Sequence, residues 1–266
     1  MTNFGYNTLG FGSFPNRAVT SGAVQFPGET CLERGADLTN CADSQFLTYS
    51  FWFRLDAGND GAFLYSAGEN RFFIKNTGSA GFGIEGRQTG GNTRILDLKH
   101  AWATLNANNA DTTNWHHACG SVDTRASANN NFFIDDNLAN GYRNGALNSG
   151  NVDFTNSEHT IGALPSSEPG GARVNKYLLM SIYEFWIGHG QNFPLTTTSN
   201  RRKFINADLT PVGLGSDGST PTGTAPLIYM TGTPSEFVNN LGSGGDFSVT
   251  EGALVDVGPP TKANAP

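Results

Sequence analysis

The apolar stretch of residues 176–187 contains a single acidic residue. An enzyme that hydrolyses a sugar chain would need two such residues in its active site. Glycoside hydrolysis uses two carboxylates, about 5–5.5 Å apart for retention or about 6.5–9.5 Å apart for inversion. This stretch offers only Glu184, followed by Trp186 and His189. Because one carboxylate cannot act as both general acid and nucleophile, the sequence predicts no catalytic residue and no enzyme.

Oxygen ligands for a hard cation occur together at Asp135, Asp136 and Asn137. Calcium takes about six to eight oxygens from carboxylates, amides and carbonyls. Asp135 and Asp136 are therefore candidate calcium ligands, with Asp123 as a further one. The alternative is a simple turn, since turns favour Asp and Asn. No EF-hand spacing supports the metal, and no other cofactor is predicted.

Two adjacent histidines, His116 and His117, lie in a strand-like stretch. Consecutive side chains of a strand point to opposite faces, so the two imidazole rings cannot bind one metal ion. Cys119 has no basic neighbour or helix start that would favour its thiolate, and it is predicted to be a small buried residue. The glycine-rich residues 83–86 and 213–219 lack the Lys-Ser/Thr of a phosphate-binding loop.

Three tryptophans, Trp52, Trp102 and Trp186, are candidate contacts for a glycan. An exposed aromatic face suits a pyranose ring. The alternative is that these rings pack in the core, because large aromatic side chains contribute much of the buried area of a β-protein. Contact with a host-surface glycan therefore depends on which of the three rings is exposed.

The stretch Leu47–Leu55 predicts the strand around which the other elements are arranged. Five large apolar side chains alternate along it with smaller or polar ones: Leu47, Tyr49, Phe51, Phe53 and Leu55. A period of two indicates a strand with one face in a core. Because these side chains cannot remain exposed, a second layer must cover them.

A second long strand is predicted over residues 176–187. One of its predicted faces comprises Tyr177, Leu179, Ser181, Tyr183, Phe185 and Ile187. The other comprises Leu178, Met180, Ile182, Glu184 and Trp186. Since both faces are largely apolar, the strand is predicted to be central and covered on both sides.

The composition favours an all-β protein with many turns and few helices. Among 266 residues there are 34 Gly and 19 Phe, which is typical of short strands joined by turns around large buried rings. The best helix candidate is the segment 196–205. The net charge of −7 argues against nucleic acid as a partner. No run of about 18 apolar residues exists, so no membrane insertion is predicted.

Three regions are predicted along the chain. Residues 1–22, rich in Gly, Asn and Phe, form an extended arm; residues 23–195 form a β-sandwich domain; residues 196–266 form a short helix and then a Pro/Gly-rich arm. The apolar inserts Leu227–Met230 and Phe247–Val249 favour an arm, lying on the parent domain or on a neighbouring subunit, over a flexible linker. Two arms suit a symmetric assembly of copies of the chain.

The cysteines and the first residues bear on where the chain is made. Cys31, Cys41 and Cys119 are odd in number, and no basic and apolar leader opens the sequence. Reduced thiols and synthesis in a cytoplasm are expected, although a disulfide between Cys31 and Cys41 is the alternative.

The order of seven short motifs resembles laminin-G-like and concanavalin-A-like jelly rolls. The motifs are Val24–Gly28, Leu47–Arg54, Phe63–Gly68, Trp115–Asp123, Phe132–Asp136, Thr160–Ala163 and Leu178–Ile187. The resemblance covers about residues 20–195 and implies a two-sheet antiparallel jelly-roll sandwich with extended arms at both termini. Folds of this kind often bind calcium at a sheet rim, which supports the metal interpretation of Asp135 and Asp136.

The region from Arg201 to Gly232 is similar to the tail of proteins encoded in bacteriophage genomes, where it follows a laminin-G-like domain. The resemblance implies a non-enzymatic structural component of a phage virion, made in the host cytoplasm. Capsid decoration and a tail-associated fibre or spike both fit, with other virion proteins and copies of itself as partners. The alternative is a carbohydrate-binding receptor or adhesin module, with or without calcium.

Overall fold

The computed structural model describes residues 22–55, 63–68, 72–76, 82–91, 93–100, 113–126, 130–139, 148–165 and 177–265. Within these residues the chain forms two packed layers of antiparallel strands with two short helices. The predicted N-terminal arm, apart from Gly22, and Trp102 lie outside the described residues.

The strands of the described residues are β1 (Ala23–Pro27), β2 (Cys31–Arg34), β3 (Phe46–Leu55), β4 (Phe63–Ala67), β5 (Phe72–Asn76), β6 (Phe82–Arg87), β7 (Arg94–His100), β8 (His116–Asp123), β9 (Asn131–Ile134), β10 (Asn137–Leu138), β11 (His159–Ile161), β12 (Leu179–His189), β13 (Ile228–Met230), β14 (Ser248–Glu251) and β15 (Val255–Val257). The helices are α1 (Thr198–Arg201) and α2 (Pro234–Phe237).

The strands form two sheets. Sheet I has the order β10-β9-β8-β3-β12-β1-β15, with β13 also paired to β12. Sheet II has the order β14-β2-β11-β4-β5-β6-β7. Neighbouring strands are antiparallel throughout, and the two sheets pack face to face. The predicted all-β jelly-roll sandwich is confirmed.

β3 lies between β8 and β12, and its apolar face forms the centre of the core. Four of its side chains are buried there and a fifth packs at the margin: Leu47, Tyr49, Phe51, Phe53 and Leu55. The ring centres of Phe51 and Phe53 lie 5.6 and 5.1 Å from that of Phe82 on sheet II. The predicted strand, its buried face and the second layer are all present.

β12 lies between β3 and β1, and its faces differ from the predicted pattern. Its register with β3 shifts between Tyr183 and Trp186, and Glu184 has a φ of 49°. A bulge of this kind inserts one extra residue, so the side chains beyond it exchange faces. Phe185 and Ile187 therefore lie in the core, whereas Trp186 joins Tyr183 on the outer face. The predicted faces are correct up to Tyr183 and wrong beyond it.

The C-terminal segment, residues 190–265, lies on the sandwich and extends it. β13 pairs with β12, β15 pairs with β1, and β14 pairs with β2, so the segment adds strands to both sheets. The segment also covers the outer face of sheet I. Leu195, Phe204 and Leu214 pack in one cluster with Trp186, and Ile205 packs in another with Trp52.

The two helices are short. α1 covers Thr198–Arg201, where the sequence predicted residues 196–205, because the residues after Arg201 form turns such as that closed by Asn206 N donating to Thr210 O. α2 begins with a capping box between Thr233 and Glu236. Among the described residues, no helix is long and apolar enough to cross a bilayer.

Candidate functional site

Asp135 and Asp136 form the two-residue turn between β9 and β10. Their φ angles of 50° and 64° are those of a type I′ hairpin turn, which Asp tolerates better than most residues. The turn lies one residue earlier than the sequence pattern placed it, since Asn137 already belongs to β10. Turn formation therefore accounts for the residue types at these positions.

Asp135 is held by the neighbouring strand β8. Its Oδ2 lies 2.7 Å from Nδ1 of His116, and its Oδ1 accepts a hydrogen bond from the backbone N–H of His117 at 2.8 Å. Both carboxylate oxygens therefore have a protein partner. These contacts fix the hairpin on the edge of sheet I.

Asp136 binds two arginines of the C-terminal segment. Its Oδ1 accepts from Nε of Arg201 at 2.5 Å, and its Oδ2 accepts from Nη2 of Arg202 at 2.6 Å. Partial burial alone would raise the pKa of Asp136, but the hydrogen bonds from Arg202 and Arg201 outweigh it and the pKa is lowered. The guanidinium of Arg201 also lies 4.2 Å from the ring centre of Phe133.

The calcium candidates are thus already engaged by protein donors. Asp123 is also paired, with Nε of Arg125 at 2.9 Å from its Oδ1. In the part of the chain that the structure describes, no three His, Cys, Asp or Glu side chains are grouped as a metal site. Binding of calcium by Asp135 and Asp136 would require that His116 and the two arginines be exchanged for the ion.

Two of the three glycan candidates lie under the C-terminal segment. Trp52 is 1% exposed, and Trp186 is fully buried with its indole N–H donating to Gly218 O at 2.8 Å. Neither ring presents a face to solvent in this structure. Contact of Trp102 with a glycan stays a prediction, because that residue lies outside the described ones.

His116 and His117 point to opposite faces of β8, as expected. His116 lies beside Phe53 of the core, with ring centres 5.7 Å apart, whereas Nε2 of His117 lies 2.9 Å from Oγ of Ser50. Burial lowers the pKa of His117 to about 3, so its ring is neutral. Cys119 is buried on the same face, and burial raises the pKa of its thiol.

Glu184 and His189 lie on the same strand but do not form one site. Glu184 is in the bulge of β12 and is 3% exposed. His189 lies between the sheets, where its Nε2 is 3.2 Å from the hydroxyl of Tyr65. All three cysteines, Cys31, Cys41 and Cys119, are free thiols.

A buried network that sequence reasoning missed links the two sheets near His189. The Tyr65 hydroxyl also meets Nδ1 of His159 at 2.9 Å, and Nε2 of His159 lies 3.2 Å from Oδ1 of Asp37. Burial lowers the pKa of His189 to about 3 and also lowers that of His159, although Asp37 opposes the second shift. Both imidazole rings are therefore uncharged at pH 7, where they form hydrogen bonds with the Tyr65 hydroxyl. Widely spaced single residues give no signal for such a network.

A pair of carboxylates on the outer face of sheet II is a second feature that the sequence did not reveal. Glu85 on β6 lies directly opposite Asp97 on β7, a placement that brings Cβ atoms within about 4.5–5.5 Å. Arg94 binds both, with Nη2 3.1 Å from Glu85 Oε2 and Nη1 3.0 Å from Asp97 Oδ2. The Arg94 side chain is 46% exposed, whereas the side chains of Glu85 and Asp97 are 9% and 3% exposed, so solvent reaches mainly the arginine.

Comparisons with known proteins agree with this architecture. No protein-family model matches the chain. No curated protein matches it either. Several solved structures are similar to the chain. One is a native heptameric SAP-like pentraxin from Limulus polyphemus, with a TM-score of 0.52 at 11% identity over 92% of this chain and 98% of the pentraxin. At this identity the similarity shows the fold alone.

A second similar structure comes from Bacteroides ovatus and is named provisionally as a carbohydrate binding protein. Its TM-score is 0.56 at 13% identity over 92% of this chain, which spans 61% of the length of that protein. Domains LG4-5 of the mouse laminin alpha1 chain match with a TM-score of 0.45 at 15% identity, over 65% of this chain and 44% of theirs. The pentraxin and Bacteroides matches, both with TM-scores above 0.5, agree with the two-sheet jelly-roll sandwich described above.

Proposed function

We propose that the protein is a non-enzymatic structural component of a phage virion, made in the host cytoplasm, in which the jelly-roll sandwich serves assembly or adhesion. Capsid decoration and a tail-associated fibre or spike are the two positions that fit. The region that resembles phage proteins, Arg201–Gly232, contributes the last residue of α1 and all of β13, and its Phe204 and Leu214 cover the outer face of sheet I. Its arginines hold the β9–β10 turn, so this region is an integral part of the proposed assembly unit.

The observation that best supports assembly is the exposed edge of the sandwich formed by two end strands. β14 is the end strand of sheet II and β15 is the end strand of sheet I. Val249 and Val255 on these two strands are each 43% exposed. End strands with exposed apolar side chains are ready to pair with another chain unless they are protected. Contacts with copies of the same chain at this edge are therefore the proposed mode of assembly.

Light scattering of the purified chain tests this proposal. The wild-type protein is expected to form an oligomer, and the double substitution Val249→Lys/Val255→Lys is expected to give a monomer. Leu138→Lys is the matched control, because Leu138 is 54% exposed on β10 at the opposite end of sheet I. A wild-type monomer at high concentration, or an oligomer that survives the double substitution, would refute self-assembly through this edge.

Recognition of a glycan is the second candidate function, supported by the Glu85–Asp97–Arg94 group. The exposed Arg94 guanidinium can donate to the hydroxyl oxygens of a sugar, while the buried carboxylates of Glu85 and Asp97 fix its position. The similar Bacteroides protein carries a name that refers to carbohydrate binding. The group lies on sheet II, whereas the C-terminal segment covers the other sheet.

A glycan array tests the second candidate. The wild-type chain is expected to retain a defined set of glycans, and Arg94→Met is expected to lose them. Arg125→Met is the control, because Arg125 is similarly exposed and paired with Asp123 on the other sheet. The absence of any retained glycan, or equal retention by both variants, would exclude this surface as a glycan site.

A further inference from the structure

A polar cluster on the outer face of sheet I takes no part in the proposed function. Trp52 on β3 is directly opposite His117 on β8, and Arg54, two residues along β3, is opposite Ser181 on β12. The Arg54 guanidinium carbon lies 5.4 Å from the ring centre of Trp115. Since residues two apart on a strand share a face, these side chains form one patch beneath the C-terminal segment.

Arg54 is a partly buried cation without a carboxylate. Its Nη2 donates to Oγ of Ser181 at 3.3 Å, and its Nε is buried with no acceptor in the described part of the chain. Within the described residues no Asp or Glu pairs with it. A guanidinium withdrawn from water and left unpaired is unfavourable, and a bound negative charge would offset that cost.

The two tryptophans beside Arg54 add further unused donors. The indole N–H groups of Trp52 and Trp115 are both buried, and neither has an acceptor among the residues that the structure describes. Indole nitrogen can donate a hydrogen bond but cannot accept one. His117 has a neutral ring whose Nε2 lies beside Oγ of Ser50, and its Nδ1 has no partner within the described ranges. The atoms with no partner are therefore mainly donors, and only an acceptor can satisfy them.

We propose that this cluster binds a small oxyanion, as a carboxylate or phosphate group, between the guanidinium of Arg54 and the indole N–H groups of Trp52 and Trp115. The charge of Arg54 selects an anion, and oxygen lone pairs supply several acceptors at once. Ile205 and Leu209 of the C-terminal segment pack against the same aromatic cluster, so they keep bulk water away from the bound group.

The C-terminal segment also supplies the link between this site and the rest of the chain. The backbone N–H of Trp115 donates to Asn264 O at 2.8 Å, and Ile205 packs against the cluster from the outside. The bound group would therefore hold the segment and the sheet together. Arg54 lies near the end of β3 and is partly exposed, which gives a small ligand its route of entry.

Titration of the intact chain with sodium acetate and with sodium phosphate tests the site, read by tryptophan fluorescence and by the unfolding temperature. Sodium chloride at equal ionic strength is the control for charge alone. We expect a saturable response to at least one oxyanion and none to chloride. The two oxyanion arms distinguish a carboxylate ligand from a phosphate ligand.

Arg54→Met should weaken the binding at least about tenfold, because it removes a charge-assisted donor but keeps the apolar stem. Arg125→Met, which removes another arginine stacked over an aromatic ring, should bind as the wild type does. No saturable response of the wild type, or equal affinity of Arg54→Met, would overturn the proposal. If Arg54→Met fails to fold, the affinity of Trp52→Phe for the oxyanion tests the site instead. An unchanged affinity would refute the site, and a loss of about threefold or more would support it.

Discussion

Asp136 accepts a hydrogen bond from Nε of Arg201 at 2.5 Å, although 65 residues separate the two along the chain. The contact joins the turn at the edge of sheet I to α1 in the C-terminal segment. The Arg201 side chain is almost buried, and its other donors reach Leu195 O, Thr196 O and Oγ1 of Thr198. An arginine in this position depends on its carboxylate, because water cannot replace it.

Asp136→Asn should therefore lower the free energy of unfolding by about 3 kcal/mol, since it leaves a largely buried guanidinium without its counter-charge. Urea denaturation followed by fluorescence measures the change. Asp208→Asn is the control: Oδ2 of Asp208 lies 4.0 Å from Nζ of Lys262 with both side chains exposed, so loss of this carboxylate charge should leave the unfolding curve unchanged within error. Equal effects of the two substitutions would contradict a structural role of the Asp136 contact.

The buried imidazoles should make the protein lose stability in mild acid. His189 and His117 have folded-state pKa values of about 3, below the unfolded value of about 6.5. The unfolded chain therefore binds more protons between these values. Above about pH 6.5 neither histidine lowers the free energy of unfolding. As the pH decreases below that value, each of them lowers it by about 1.4 kcal/mol per pH unit.

His189→Gln should reduce the slope of the free energy of unfolding against pH by about 1.4 kcal/mol per pH unit, which corresponds to one proton. Glutamine does not titrate, but it can still contact the Tyr65 hydroxyl. The free energy of unfolding measured from pH 7.5 to pH 4.5 checks this. Asp136 adds a separate loss at lower pH, since its folded pKa is lowered and its contribution disappears only as the pH falls through that value. An unchanged slope in His189→Gln would mean that this ring does not remain neutral in the folded protein.

Gly120 is predicted to tolerate no side chain. It lies opposite Tyr49 across β8 and β3, and a Cβ at this position would overlap the hydroxyl and ring of that tyrosine. Tyr49 is fully buried between the sheets and cannot move away without opening the core. Gly120→Ala should cost about 1–3 kcal/mol by thermal or urea unfolding. Gly150→Ala, where a Cβ finds ordinary contact distances, is the control and should be near neutral.

The sequence pattern is sufficient for β3 because every second residue from Leu47 to Leu55 obeys one local rule. The pattern gives the wrong faces for β12 beyond Tyr183, because no residue type in this stretch predicts the bulge at Glu184. After that bulge the periodic assignment exchanges core and outer faces. A one-residue insertion is decided by tertiary packing and not by local preference.

The residue types of the candidate ligands are compatible with more than one structure. Asp135 and Asp136 have the composition of a calcium loop and of a turn, and only the positions of His116 and Arg201 show what binds them here. Trp52 and Trp186 are on the outer face of a sheet, where exposure would be expected, but the C-terminal segment covers them. Contacts between residues so distant in sequence leave no periodic signal.

Calcium should not stabilise the protein through Asp135 and Asp136. The charge of Asp136 is already balanced by Arg201 and Arg202, and Asp135 is held by His116. The unfolding temperature in millimolar calcium should therefore equal that in a chelator. A clear increase with calcium that is lost in Asp136→Asn would contradict this expectation and support the metal interpretation.

A chain that ends at Leu195 should not fold into a stable sandwich. The missing residues include β13, β14 and β15, together with the side chains of Phe204 and Leu214 that pack on Trp186. Their removal would expose the outer face of sheet I and leave β1 and β2 as new end strands, which favours aggregation. Solubility, and resistance to protease relative to the full chain, measure the outcome. A soluble and protease-resistant fragment would instead show that residues 23–195 form an independent domain.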